Sequence, residues 1–208
     1  MAQNRSHAVM AQRTEAKISR DDFPTSPWAT RGLFEHVISE FGPFANQSAL
    51  EPACGAGHMA KVLQEYFSEV HASDVHPYGF GTVRDFLAVP YEANSVDWVI
   101  TNPPFRLAEE FVQRSLVLAR QGVAILARTV FIESVGRYRD LFQKAPPVRF
   151  AQFTERVPMV KGRLDRKATT ATGYAWLVWL RGLGKDAPQL VWIPPCRKRL
   201  ERATDYPA

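Results

Sequence analysis

Apolar positions recur along this chain with two alternating periods. From Trp28 to Phe41, the residues Leu33, Phe34, Val37, Ile38 and Phe41 follow helical spacing and predict an amphipathic helix. A short strand, a tight glycine turn and a helix start are read in Ser48 to Ala60, with the helix continuing through Lys61–Phe67. Val70–Asp74 and Val96–Thr101 have the length and β-branched content of buried strands. Leu107 to Arg120 is again helical in period, Gly122–Arg128 is a strand, Ser134 to Phe142 a helix, and Arg149–Glu155 and Tyr174–Leu180 further strands. Regular alternation of strand and helix predicts an α/β fold with a doubly wound, mostly parallel sheet. The aromatic run Tyr174-Ala175-Trp176-Leu177-Val178-Trp179-Leu180 invites a base-stacking interpretation, but a central strand needs apolar residues on both faces, so core packing is expected.

Composition supports one self-sufficient domain. With 208 residues and 46% hydrophobic content, the chain can bury a full core without disulfides or metals. The expected organisation is a flexible tail at 1–20, a catalytic domain at 21–182 and a basic tail at 183–208. No apolar run approaches eighteen residues, so no membrane span is expected. Residues 1–20 are polar and lack a secretory apolar stretch; their mild basicity and serines resemble a transit peptide only weakly. Cys54 and Cys196 have no metal-type spacing and fit a reduced, cytoplasmic setting. His36, His58, His71 and His76 show no ligand spacing either, so no metal is expected.

The candidate chemistry lies where strands end. Asn102-Pro103-Pro104-Phe105 follows the strand Val96–Thr101 directly, at the sheet edge where open α/β folds place ligands. The Asn102 carbonyl and a backbone carbonyl beside Pro103 can accept hydrogen bonds from a planar amine, and Phe105 can stack on its ring. Successive prolines fix φ and remove donors, which holds those carbonyls outward. Taken alone, the same tetrapeptide also suits an ordinary strand-terminating turn.

A second motif narrows the choice. Glu51-Pro52-Ala53-Cys54-Gly55-Ala56-Gly57 brings glycines and a helix start to the end of the first strand, and Asp74 ends the next, placed to grip ribose hydroxyls. Gly55-x-Gly57-x-x-Ala60 with Asp74 also fits a dinucleotide fingerprint. Glu51, however, would repel a pyrophosphate and tolerates a cationic donor, which favours S-adenosylmethionine.

In these motifs the chain resembles the S-adenosylmethionine-dependent N6-adenine DNA methyltransferases of the gamma arrangement. A Thr-Pro-type segment, here Asp22-Phe23-Pro24-Thr25-Ser26-Pro27-Trp28, precedes the glycine motif and the Asn-Pro-Pro-Phe motif, in that family's order. The resemblance implies a Rossmann-like class I methyltransferase fold with a seven-stranded sheet, its last pair a hairpin and one strand antiparallel. It further implies that Thr25 contacts the methionine part of the cofactor, although Ser26 is inserted before Pro27. In Gly81-Thr82-Val83-Arg84-Asp85-Phe86-Leu87 it implies that Asp85 accepts from the cofactor adenine and Phe86 packs on its ring; a turn-capping Asp and a core Phe are the bland alternative.

Charge bears on the partner. From Arg156 to Arg202 there are eleven Lys or Arg against three acids, about +8, while the rest of the chain carries about −3 of the total +5. Lys161, Arg163, Arg166 and Lys167 lie in a Gly- and Thr-containing segment, 160–173, suited to a loop over the active face contacting phosphates. Arg197-Lys198-Arg199 forms a second basic cluster. The expected partner is nucleic acid, DNA ahead of RNA. RNA base amines, protein glutamine and an inactive binding homologue are the competing readings. Without a separate recognition domain, the chain is expected to discriminate sequence weakly, to read it through loops such as 160–173, or to depend on a homodimer or specificity partner.

Overall fold

The computed structural model describes residues 21–183 and 187–206; the expected tail at 1–20 lies outside them. The strands are β1 (Ser48–Glu51), β2 (Glu69–Asp74), β3 (Thr82–Val83), β4 (Val96–Thr101), β5 (Ala119–Arg128), β6 (Arg149–Phe153), β7 (Tyr174–Leu180) and β8 (Gln189–Ile193). The helices are α1 (Pro27–His36), α2 (His58–Leu63), α3 (Ala108–Leu118), α4 (Val135–Arg137, continued by a π-turn over Tyr138–Phe142) and α5 (Arg197–Leu200).

Among the described residues the strands form one eight-stranded sheet in the order β3-β2-β1-β4-β5-β7-β6-β8. Only β7 runs against its neighbours: it is antiparallel to β5 and to β6, while β8 pairs parallel to β6. The antiparallel strand is as expected; the strand number is corrected from seven to eight. Residues expected to form a basic tail supply that last strand, with Ile193 buried at its end and Cys196 buried beyond it.

The sheet separates two apolar layers. One carries Trp28, Leu33, Ile38, Met59, Leu63, Trp98, Trp176 and Ile193 beneath α1 and α2. The other carries Phe86, Val99, Phe111, Val112, Leu118, Ile125 and Leu177 beneath α3. Both faces are covered, which is why β4, β5 and β7 read as continuous apolar runs rather than alternating ones. The Tyr174–Leu180 run is core along most of its length, with Trp176 fully buried.

The strand order also locates the site. From β1 the chain builds outward through β2 and β3, then returns to β4 on the other side and continues to β5. The carboxyl ends of β1 and β4 therefore border a topological switch point, where a crevice opens outside the sheet. Glu51 ends β1 and Asn102 follows β4 at that crevice. No helix among the described residues is long and apolar enough to cross a membrane.

Candidate active site

A cleft of about 1220 Å³ occupies the switch point. Its wall includes Asp22, Thr25, Glu51, Gly55, Asp74, Asn102, Pro104 and Phe105, so the three sequence motifs converge in space. Pro52 and Pro103 are buried behind that wall.

The glycine turn is built for close approach. Gly57 precedes α2 with φ +81°, a left-handed conformation, and a Cβ there would lie 2.4 Å from the Phe80 ring. Asp74 holds the turn from below: its carboxylate accepts from the Gly55 N–H at 2.9 Å and from the His76 N–H at 2.9 Å. Asp74 thus stands at the base of the turn with both oxygens partly used.

Glu51 is 2% exposed, and its Oε2 has no hydrogen-bond partner. Burial holds its carboxyl well above the usual range, and the nearby Asp74 charge adds to that shift, against an Ala60 N–H that stabilises the ionised form. Cys54 beside it is pushed up to about 12 by burial and by the charges of Glu51 and Asp74, so it packs as an inert thiol. His58, also in the wall, is held below its ordinary value by burial and by Lys61.

Asn102 is oriented from behind. Its amide nitrogen donates to the Phe23 carbonyl at 2.9 Å and to the Thr25 hydroxyl at 3.1 Å, with the Met159 sulfur at 3.8 Å. That arrangement fixes which end of the amide is the donor end, and the buried Oδ1 has no partner. Thr25 is therefore placed to hold Asn102. The inserted Ser26 is accommodated by burial, its hydroxyl donating to the Pro158 carbonyl at 3.3 Å.

Phe105 sits in a crowded place. Its N–H donates to Asp21 Oδ2 at 2.6 Å, and the Arg128 guanidinium stands 3.8 Å from its ring centroid. Phe23 and Tyr174 pack against it in tilted contacts, with centroids at 5.4 and 6.4 Å. Burial raises the Tyr174 phenol, opposed by the charge of Arg128. Among the described residues, the unpartnered buried side-chain atoms on this wall are three acceptors, Asp21 Oδ1, Glu51 Oε2 and Asn102 Oδ1, and one donor, Arg128 Nε. A surplus of acceptors suits a ligand that is cationic or rich in N–H groups.

Other expected residues fall elsewhere. Asp85 accepts from the N–H groups of Leu87 at 2.9 Å and Ala88 at 3.3 Å, which makes it a turn cap, and Phe86 is 2% exposed in the α3-side core against Phe111. Neither is on the cleft wall, which continues from Asp74 through Val75, His76 and Tyr78 instead. Of the basic loop, Lys161 and Thr169–Thr172 line the cleft. Arg163 pairs with Asp165 at 3.2 Å, and Arg166 pairs with Glu201 at 3.1 Å. Arg166 and Lys167 border a second hollow of about 500 Å³ with Arg197 and Lys198. Asp21, Arg128 and Met159 carried no sequence signal, because an acid before a turn, a strand-ending base and a loop methionine are each common in surface roles. Among the described residues no group of His, Cys, Asp and Glu is placed to hold a metal ion.

No family model matches the chain, and no curated protein matches its sequence. Solved structures do match it. A modification subunit of a proposed type I restriction enzyme from Vibrio vulnificus aligns with a TM-score of 0.61 at 15% identity, covering 90% of this chain and 50% of that one. A proposed class I S-adenosylmethionine-dependent methyltransferase from Listeria monocytogenes aligns at 0.55 and 15% identity, covering 87% and 68%. A proposed RNA methyltransferase from Pyrococcus horikoshii aligns at 0.54 and 14%, covering 73% and 83%. This chain spans about half the length of the Vibrio protein. At these identities the likeness is one of architecture, and the architecture is that of the Rossmann-like class I methyltransferases.

Proposed function

We propose that this protein is an S-adenosylmethionine-dependent methyltransferase that places a methyl group on the exocyclic N6 of adenine in DNA. The observation that carries the reading is Asn102: a side-chain carbonyl left without a partner at the carboxyl end of β4, its amide nitrogen fixed by Phe23 and Thr25. The bound cofactor supplies an electrophilic methyl on a sulfonium centre. The acidic wall fits that group, because Glu51 Oε2 is buried and unpartnered and a positive ligand offsets the cost of ionising it. The Asp74 carboxylate, at the end of β2, is placed to take ribose hydroxyls, and the Gly55–Gly57 turn lets the cofactor backbone come close.

Asn102 Oδ1 accepts a proton-bearing edge of the target amine, and the carbonyl beside Pro103 is the second acceptor. Together they aim the nitrogen lone pair along the line of transfer. No residue forms a covalent link to the methyl group. The displaced proton leaves to water once the nitrogen carries the methyl, so positioning accounts for most of the rate. A base in a duplex has to leave its stack to reach the cleft. Lys161 and residues 169–172 lie at the cleft wall where the flanking backbone would pass.

Methyl transfer from labelled S-adenosylmethionine to duplex DNA, single-stranded DNA, total RNA and protein lysate, with the modified unit identified after digestion, tests this directly. N6-methyladenine in DNA is the expected product. Label in RNA or on glutamine would keep the site and replace the substrate; no transfer to any acceptor would overturn the reading.

A further inference from the structure

We infer that the Arg128 guanidinium, rather than the Phe105 ring, is the surface on which the target base stacks. The inference rests on the methyl transfer proposed at Asn102 and names a further residue of that site.

An aromatic residue following Asn-Pro-Pro is the obvious stacking platform, but here its ring is already engaged. Arg128 Cζ stands 3.8 Å from the centroid of Phe105, at stacking distance. Phe23 and Tyr174 pack around the same ring, and Phe105 joins the α1-side core cluster. Moving Arg128 aside would break this cation–π contact and would move a charge out of a site that Asp21 also faces.

Leaving Arg128 in place costs nothing of the kind. A guanidinium is planar and weakly hydrated, so it can lie on an aromatic ring with one face and receive a base on the other. Arg128 is the last residue of β5, the strand beside β4, and it lines the cleft that Asn102 enters from β4. Unpartnered acceptors on the cleft wall include Asn102 Oδ1 and Asp21 Oδ1. Those acceptors complement the exocyclic amine of a base lying on the guanidinium face, which adenine and cytosine carry. Phe105 then acts as the support that holds the guanidinium plane.

The test compares Arg128→Ala, Arg128→Lys and Phe105→Leu. Readouts are KM for an oligonucleotide acceptor, anisotropy of a fluorescein-labelled adenine-rich single strand, cofactor affinity by calorimetry and thermal stability. Both Arg128 variants should raise the acceptor KM about tenfold or more, because lysine keeps the charge and loses the plane, while cofactor affinity stays within about twofold. Phe105→Leu, which keeps bulk beneath the guanidinium, should be milder. An unchanged or lowered KM in Arg128→Ala would make Arg128 a displaced plug and overturn the inference. So would normal behaviour of Arg128→Lys, or a larger loss in Phe105→Leu than in Arg128→Ala. If the wild type binds the cofactor but methylates no nucleic acid, the proposed function fails by itself. The stacking inference is then decided by anisotropy, where strand binding that is absent or insensitive to Arg128 overturns it.

Discussion

The two ends of the parallel strands treat buried polar groups in opposite ways. At the amino end, Asp97 accepts from the Ser48 N–H at 2.8 Å, the Ser48 hydroxyl at 3.0 Å and Arg120 Nε at 2.9 Å. Its carboxyl is held down at about 2, chiefly by the Arg120 hydrogen bond. At the carboxyl end, Glu51, Asn102, Asp21 and Arg128 each keep a buried atom without a partner. Around Asp97 the sheet satisfies the polar groups that hold strands together, and around the cleft it leaves four side chains with an open atom. An unsatisfied buried group costs stability, and a cluster of them on one wall is the mark of a surface that a ligand completes.

The largest expected effect lies at the open end. Asn102→Ala should slow the chemical step about a hundredfold or more while leaving cofactor affinity nearly unchanged, read by single-turnover transfer and calorimetry. Near-normal turnover in that variant would remove Asn102 from the reaction. Gly57→Ala should do damage of another kind. The positive φ and the 2.4 Å approach to Phe80 should cost about 1–3 kcal/mol and weaken cofactor binding together, seen as a lower unfolding midpoint and a lost calorimetric signal.

At the closed end the expected loss is in stability rather than in transfer. Asp97→Ala should cost about 2 kcal/mol of stability with little change in transfer per folded molecule. The Asp97 contribution is present above the ordinary carboxylate range and is lost as pH falls toward the folded value of about 2, so acid unfolding should begin at higher pH in the variant.

The smallest effect sharpens the comparison most. Glu51 has its folded value raised by burial, so the folded state holds that proton to higher pH than the unfolded chain does. Its favourable contribution is therefore complete at acid pH and is lost as pH rises through the ordinary carboxylate range toward the raised value. Glu51→Gln should flatten this decline and make the unliganded protein more stable at neutral pH, by about 1 kcal/mol, while weakening cofactor binding. Chemical denaturation at pH 5 and pH 7 checks both statements.

Much of this was legible in the residues because periodicity and strand-end motifs report the same physics. The buried runs at β4, β5 and β7 announced a sheet covered on both sides, and Glu51, Gly55, Asp74 and Asn102 stand at strand ends or in the glycine turn, in one cleft. The eighth strand was hidden because Gln189–Ile193 is five residues long, lies between prolines at 188 and 194, and is followed by a basic cluster. Asp85 and Phe86 lie off the cleft wall, and an acid and an aromatic after a strand look the same whether they cap a turn and fill a core or bind an adenine. Arg128 was invisible for a further reason: its role depends on Phe105, twenty-three positions away in sequence and 3.8 Å away in space.

Calorimetric titration of S-adenosylmethionine into the wild type, Asp74→Ala and Asp97→Ala compares the two ends in one experiment. One cofactor bound per chain, with binding lost in Asp74→Ala and retained in Asp97→Ala, is the predicted result. No binding to the wild type, or equal loss in both variants, would contradict the assignment of the open end as the cofactor site.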